Sequence, residues 1–185
     1  LRRQAGAPMA RRPASQPAAH DSSRDELRAG RAALLDTLAD LFLRELELPA
    51  AQTLAADPAL AAALQPPSDE AEAQALRAEY ARLLLMEAPP YASLFLEAPP
   101  VIGGESSLAW EATLAARWLP TPPRERAAAS DHAGHCLRTL AHAERTGVAG
   151  AVLAEALRWL PQYLTTLEQE DPDGFYGRLA QLATA

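Results

Sequence analysis

Apolar residues recur at intervals of three and four along most of the chain, which is the spacing of amphipathic helices. A capping box at residues 23–26 opens the first such run, and leucines continue it to about residue 48. Pro49 is expected to end this helix, because proline lacks the backbone donor that a helix interior needs. Residues 50–65 then predict two short helical pieces, divided at Asp57-Pro58.

Further helices follow from the same spacing. Residues 69–86 predict a strong helix capped by Ser68, and one of its faces carries Leu76, Tyr80, Leu83 and Leu84. Ser107 is expected to cap the next helix, 107–119, in which a core-facing stripe is made of Trp110, Leu114 and Trp118. The remaining helices are predicted at 130–147, 148–160, 161–170 and 175–183.

The predicted fold class is all-α. No segment shows the alternation of a β-strand, and no internal repeat indicates a solenoid. A chain of 185 residues fits one compact helical domain. Residues 120–129 contain three prolines and predict a linker between two lobes, 23–119 and 130–185. Residues 1–22 lack periodicity and predict a disordered tail.

Residues 87–105 form a predicted loop of unusual content. It has four prolines and two glycines, and its apolar side chains are Tyr91, Leu94, Phe95, Leu96, Val101 and Ile102. Such a loop packs inward or lines a binding surface. Inward packing is favoured, because an exposed apolar patch of this size promotes aggregation.

The formal charge of −7 is unevenly distributed. The first 20 residues carry four arginines and no acidic residue, whereas the remainder carries 13 arginines and 24 acidic residues, a formal charge of −11. An acidic body argues against binding nucleic acid or anionic membrane and suits a cationic partner. The longest leucine-rich segment is interrupted by Asp36 and Asp40, so no membrane insertion is predicted. The single cysteine, Cys136, fits the reducing cytoplasm.

The helix at 130–147 carries the residues with the most chemistry. Asp131 is an N-cap residue type, so the plainer interpretation is that its carboxylate accepts the N–H of Ala133 or Gly134. His132 falls at the border of the core-facing stripe, whereas His135 and His142 are expected to point outward. No second helix would meet them there, so no metal site, cofactor or catalytic centre is predicted.

The Asp131-His132 pair occurs together with four other segments, E-Y-A-R-L-L-L (79–85), P-P-Y-A-S-L-F (89–95), W-L-P-Q-Y (159–163) and F-Y-G-R-L-A (175–180). In this order the chain resembles the TorD/DmsD family. Its members are cytoplasmic, all-helical chaperones that mature molybdenum enzymes of the dimethyl-sulfoxide-reductase type. They bind the twin-arginine signal peptides of those enzymes.

The resemblance implies a peptide-binding site and no catalysis. The family lines its peptide groove at the positions of Tyr80, Leu83 and Leu84. Its P-P-aromatic-x-Ser loop matches Pro90, Tyr91 and Ser93. The Asp-His pair that it uses in signal-peptide recognition matches Asp131 and His132. The implied partners are a twin-arginine signal peptide and the apo form of a molybdenum enzyme.

Ion pairs and buried apolar side chains are expected to contribute unequally to peptide binding. An exposed Arg–Asp pair contributes about 0–1 kcal/mol, whereas burying one leucine-sized side chain contributes about 1.5–3 kcal/mol. The groove is therefore expected to supply most of the affinity, with Asp131, at its edge, selecting for arginine.

Two other functions fit the same residues. A general helical adaptor would bind another amphipathic segment without preferring paired arginines, and a metal-dependent hydrolase would use Asp131 and His132 as ligands. The linker also permits exchange of lobes between two chains, so both a monomer and a lobe-swapped dimer are compatible with the sequence.

Overall fold

A computed structural model describes residues 19–120, 129–148, 154 and 157–184. Within these ranges the chain is helical, as the spacing of apolar residues predicts, and has no strand beyond one isolated bridge. The α-helices are α1 (Ala19–Leu43), α2 (Leu48–Ala55), α3 (Pro58–Leu64), α4 (Glu70–Tyr80), α5 (Ala92–Leu96), α6 (Glu105–Ala116), α7 (Ala133–Thr146), α8 (Leu160–Glu170) and α9 (Phe175–Thr184). A π-helical segment, Ala81–Glu87, continues directly from α4.

The first helix differs from its prediction at both ends. It begins at Ala19, four residues before the predicted capping box, and it ends at Leu43 instead of near residue 48. Pro49 does not end α1 but lies in the first turn of α2, where a helix needs no backbone donor. The predicted division at Asp57 is confirmed, since its side chain accepts two N–H groups of α3 at 2.8 and 3.2 Å.

The start of α4 is capped one residue later than predicted. Asp69, and not Ser68, accepts the N–H of Glu72 at 2.9 Å. The Glu72 carboxylate in turn accepts the N–H and the hydroxyl of Ser68 at 2.7 and 2.9 Å. This reciprocal arrangement satisfies donors that the helix itself leaves unpaired.

The tryptophan stripe of α6 is confirmed in part. Trp110 and Leu114 are 5% and 0% exposed, as a core-facing stripe requires. The prediction for Trp118 is wrong, because this side chain is 95% exposed. Since α6 ends at Ala116 and Trp118 has a left-handed backbone with φ of 56°, the helical spacing no longer applies there.

The proline-rich loop packs inward over only part of its length. Phe95, on α5, lies 5.9 Å from the ring of Trp159 and 5.8 Å from that of Tyr163. In contrast, the later residues Val101 and Ile102 are 53% and 52% exposed. Inward packing is therefore wrong for the second half of this loop.

Helices α1 and α7 pack against each other in antiparallel orientation. At the middle of α1, Arg31 pairs with Glu144 at 3.1 Å, and near its end Asp40 pairs with Arg138. At the first turn of α7 the approach is closest. A Cβ built on Gly134 would lie 2.8 Å from the backbone oxygen of Ala39 and 2.5 Å from the Leu43 side chain.

One hydrophobic core includes residues from both predicted lobes. Its aromatic centre joins α1 to α8, since the rings of Phe42 and Tyr163 are 6.0 Å apart, and Trp159 lies 5.8 Å from Tyr163. A second contact, 6.1 Å between the rings of Tyr80 and Tyr176, joins α4 to α9. The segments 159–163 and 175–180 thus supply the aromatic side chains that unite the chain.

Several predictions concern residues outside the described ranges. They are residues 1–18 of the tail predicted at 1–22, residues 121–128 of the linker, and much of the predicted helix 148–160, whereas residues 19–22 belong to α1. The division into two lobes stays a prediction. None of the helices in the described ranges combines the length and the apolar character needed to cross a membrane.

The close approach at Gly134 predicts opposite effects for two glycine substitutions. Gly134→Ala places a Cβ against the Ala39 oxygen and should lower the free energy of unfolding by about 1–3 kcal/mol. Gly30→Ala, on α1, meets nothing within 4 Å and should raise it by about 0.5–1 kcal/mol. Urea unfolding of both variants checks this; a stabilised Gly134→Ala would contradict the packing described.

Candidate functional site

The proline-rich loop and the start of α7 are joined by a short antiparallel bridge, in which Tyr91 faces His132. The N–H of Ala133 donates to the backbone oxygen of Pro90 at 2.7 Å, and the N–H of Ala92 donates to the backbone oxygen of Asp131 at 3.2 Å. Two segments that resemble the chaperone family therefore form one local structure.

Asp131 does not cap α7. Its side chain is 0% exposed, and its Oδ2 accepts the N–H of Ser93 at 2.8 Å. The cap is His132, whose Nδ1 accepts the N–H of Gly134 at 3.1 Å. The expected bond from Asp131 to its own helix is thus replaced by a bond to the loop, and the expected position at an open groove edge is wrong.

The Asp131 carboxylate has few polar partners. Its second oxygen, Oδ1, and the neighbouring hydroxyl of Ser93 are both buried without a hydrogen-bond partner among the described residues. The bond to the Ser93 N–H is therefore the main polar contact that holds this carboxylate. A carboxylate so enclosed acts here as a brace between α7 and the loop.

The His132 ring is buried between aromatic neighbours. It is 5% exposed and lies 5.0 Å from the ring of Tyr91 and 5.9 Å from that of His135. Burial, and then the charge of His135, lowers the pKa of His132 to about 3. The neutral ring fits the bond to Gly134, because only an unprotonated Nδ1 accepts a hydrogen bond.

The adjacent residues of α7 are also enclosed. His135 is 2% exposed, so the expectation that it points outward is wrong, whereas His142 is half-buried. Burial and the charge of Asp131 raise the pKa of the Cys136 thiol well above its ordinary value. The helix α1 covers one side of this turn and the proline-rich loop covers the other. His135 is therefore buried, although a helical projection of α7 places it on the solvent side.

The eight residues implied by the resemblance fall into two groups. The bridge brings together Pro90, Tyr91, Ser93, Asp131 and His132. The other three, Tyr80, Leu83 and Leu84, lie in the core with 8%, 0% and 1% exposure. Tyr91 is the one member of the eight that is half-buried, and the others are buried, so no open groove runs through them in this structure.

A cavity of about 810 Å³ lies between the end of α1, the connection at 44–47 and α2. Its buried lining residues are Leu41, Leu46, Leu54 and Tyr80, and its acidic lining residues are Asp40, Glu45 and Glu47. Leu43 lines this cavity and also packs against Gly134, so the cavity adjoins the braced turn of α7.

This cavity is not evident from the sequence, because the spacing of apolar residues predicts that the first helix continues through residues 44–47. The segment Glu45-Leu46-Glu47 alternates polar and apolar residues, which is typical of an extended segment and could have indicated the break. The described residues contain no group of His, Cys, Asp and Glu that could hold a metal ion.

The chain matches the model of a known protein family. The profile of the nitrate reductase delta subunit family matches residues 24–171, which include the bridge and the cavity. The chain belongs to this family. Its members are TorD/NarJ-type maturation chaperones of molybdenum enzymes, so the resemblance to that chaperone group and the all-α fold are confirmed. Neither curated proteins nor solved structures give a significant match.

Substitution of Asp131 distinguishes a brace from a peptide contact in this delta-subunit-family chaperone. Asp131→Ala leaves the buried N–H of Ser93 unpaired and should lower the free energy of unfolding by about 1–3 kcal/mol. Asp131→Asn retains an acceptor oxygen and should cost less. Denaturant unfolding measures both; unchanged stability of Asp131→Ala would show that the carboxylate does not brace the loop.

The burial of His132 predicts that acid destabilises the chaperone. Between pH 6.5, the ordinary pKa, and pH 3, the unfolded chain binds a proton on His132 that the folded chain does not. The free energy of unfolding therefore falls as the pH falls through this window, by about 3 kcal/mol at pH 4 from this residue.

His132→Asn keeps a side-chain acceptor for the Gly134 N–H and removes the titrating group. We expect its free energy of unfolding, measured in urea, to fall less than that of the wild type between pH 7 and pH 4. Equal acid sensitivity of the two proteins would mean that His132 is not the group responsible.

Proposed function

We propose that this chaperone acts in the cytoplasm on the apo form of a molybdenum-containing oxidoreductase, binds its twin-arginine signal peptide, assists its maturation and prevents premature export. The observation that carries the proposal is the family match over residues 24–171. The charge of the chain is compatible with it, because an acidic body attracts a cationic segment.

The burial of most implied site residues refines their proposed roles. Tyr80 lines the cavity and Tyr91 is half-buried, so these two are proposed to contact the peptide. The other six residues are proposed to position them. Asp131 holds the loop that carries Tyr91, and Leu83 and Leu84 anchor the segment that follows Tyr80 in the core.

A general helical adaptor is distinguished by its lack of preference for paired arginines. The test is calorimetric titration of the full chain with a twin-arginine signal peptide from a molybdenum oxidoreductase. Two matched peptides, with both arginines changed to Lys or to Ala, provide the comparison. An arginine can hold a carboxylate with two parallel hydrogen bonds, which a lysine cannot reproduce.

We expect a dissociation constant near micromolar, about 8 kcal/mol, for the arginine peptide, and weaker binding in the order Arg, Lys, Ala. Equal binding of all three peptides would support the adaptor instead. Absence of binding to signal peptides from several molybdenum oxidoreductases would overturn the proposal.

A further inference from the structure

We infer that the arginine pair of the signal peptide binds Glu45 and Glu47 at the rim of the cavity between α1 and α2, and that its apolar segment lies on the cavity floor. This inference rests on the proposed function. It places the contact with the arginines on residues other than the Asp131-His132 pair.

The connection at 44–47 presents its acidic residues to solvent. Glu45 and Glu47 are exposed, whereas Leu46 between them is 4% exposed. The backbone of Glu47 is extended, and Glu45, Leu46 and Glu47 all line the cavity. The two exposed carboxylates therefore lie at the opening, and the buried leucine between them joins the apolar floor.

Among the described residues, neither of these glutamates forms an ion pair or a side-chain cap, although Arg77 of α4, which pairs with Glu70 at 2.7 Å, lies within electrostatic range of both. Glu47 occupies the N-cap position of α2 but forms no side-chain cap hydrogen bond. Neither residue forms an ion pair within the part of the chain that the structure describes. Asp40, the third acidic residue of the rim, differs because Arg44 and Arg138 both pair with it.

The charge of Glu45 reaches the floor of the cavity. Burial, and then the charge of Glu45, raises the pKa of Tyr80, so the carboxylate and the phenol lie close enough to interact. The Tyr80 hydroxyl donates to the Phe42 oxygen at 3.2 Å, which fixes the ring against the end of α1. The cavity thus combines a buried aromatic floor with an anionic rim.

The volume and lining of the cavity suit a short cationic and apolar segment. About 810 Å³ lies within the range of roughly 300–1,000 Å³ that binding pockets occupy. An anionic ligand would meet Glu45 and Glu47, and Arg44, the basic residue of the lining, is paired with Asp40 at 2.8 Å. A smaller cavity of about 350 Å³ beside α8 is lined by Arg158 and no acidic residue, so it would not attract arginines.

The test is the peptide titration repeated on the double variant Glu45→Gln/Glu47→Gln. Both residues are exposed, so the variant should fold as the wild type does, which thermal unfolding checks. We expect affinity for the arginine peptide to fall about 5- to 30-fold, since two exposed ion pairs are lost. Its affinity for the alanine peptide should not change.

Glu170→Gln/Asp173→Asn is the matched control. It also removes two negative charges, but from exposed positions at the turn between α8 and α9, outside the cavity lining. We expect this control to bind the arginine peptide within about two-fold of the wild type, because long-range attraction between exposed charges is screened by salt. An equal loss in both double variants would reduce the effect to net charge and overturn the inference.

A second variant tests the floor. Thr53 lies on the exposed wall of α2, and Thr53→Trp would fill part of the cavity without altering its buried residues. We expect it to weaken both peptides by about 10-fold or more, because it displaces about one leucine-sized side chain of their shared apolar segment from the cavity. Wild-type binding that neither Thr53→Trp nor the glutamine variant weakens would overturn the inference and leave the proposed function intact. Absence of binding to the wild type would overturn both.

Discussion

The antiparallel packing of α1 on α7 is the contact on which the rest of the structure depends. It is closest at Gly134, where a side chain would collide with the Ala39 backbone. Because α1 covers one side of this turn, the proline-rich loop closes the other, and the Asp131 carboxylate bonds to Ser93 inside the resulting enclosure. The same end of α1 then leaves the cavity open beside α2.

Much of the fold could be predicted from apolar spacing and capping residues, because both are local properties. The cap at Asp57 and the core positions of Trp110 and Leu114 follow from them. The end of α1 could not be predicted from them, since Glu45, Leu46 and Glu47 are also compatible with a helix. Residues 45–47 are not helical and Leu46 is 4% exposed, but an alternation of only three residues indicates such a break weakly.

The residues of the candidate site could be predicted from the sequence better than the role of each residue. The resemblance named residues that do meet in space, Tyr91 and Ser93 with Asp131 and His132. An aspartate before a helix has the same sequence signature whether it bonds its own helix or a neighbouring loop. Here His132 caps α7, which leaves Asp131 to hold the loop. The recognisable pattern therefore marks a structural brace, and the inferred contact with arginine lies on less distinctive residues nearby.

Hydrogen–deuterium exchange of the full chain, with and without a saturating twin-arginine peptide, tests most directly whether the peptide binds at the cavity and not at the Asp131-His132 pair. Amide exchange reports local opening, so a bound peptide slows it where contacts form. We expect slower exchange at residues 44–54, around the cavity, and little change at residues 131–135, which are already enclosed. Slower exchange confined to residues 90–93 and 131–135, with none at 44–54, would contradict it and return peptide recognition to the Asp131-His132 pair.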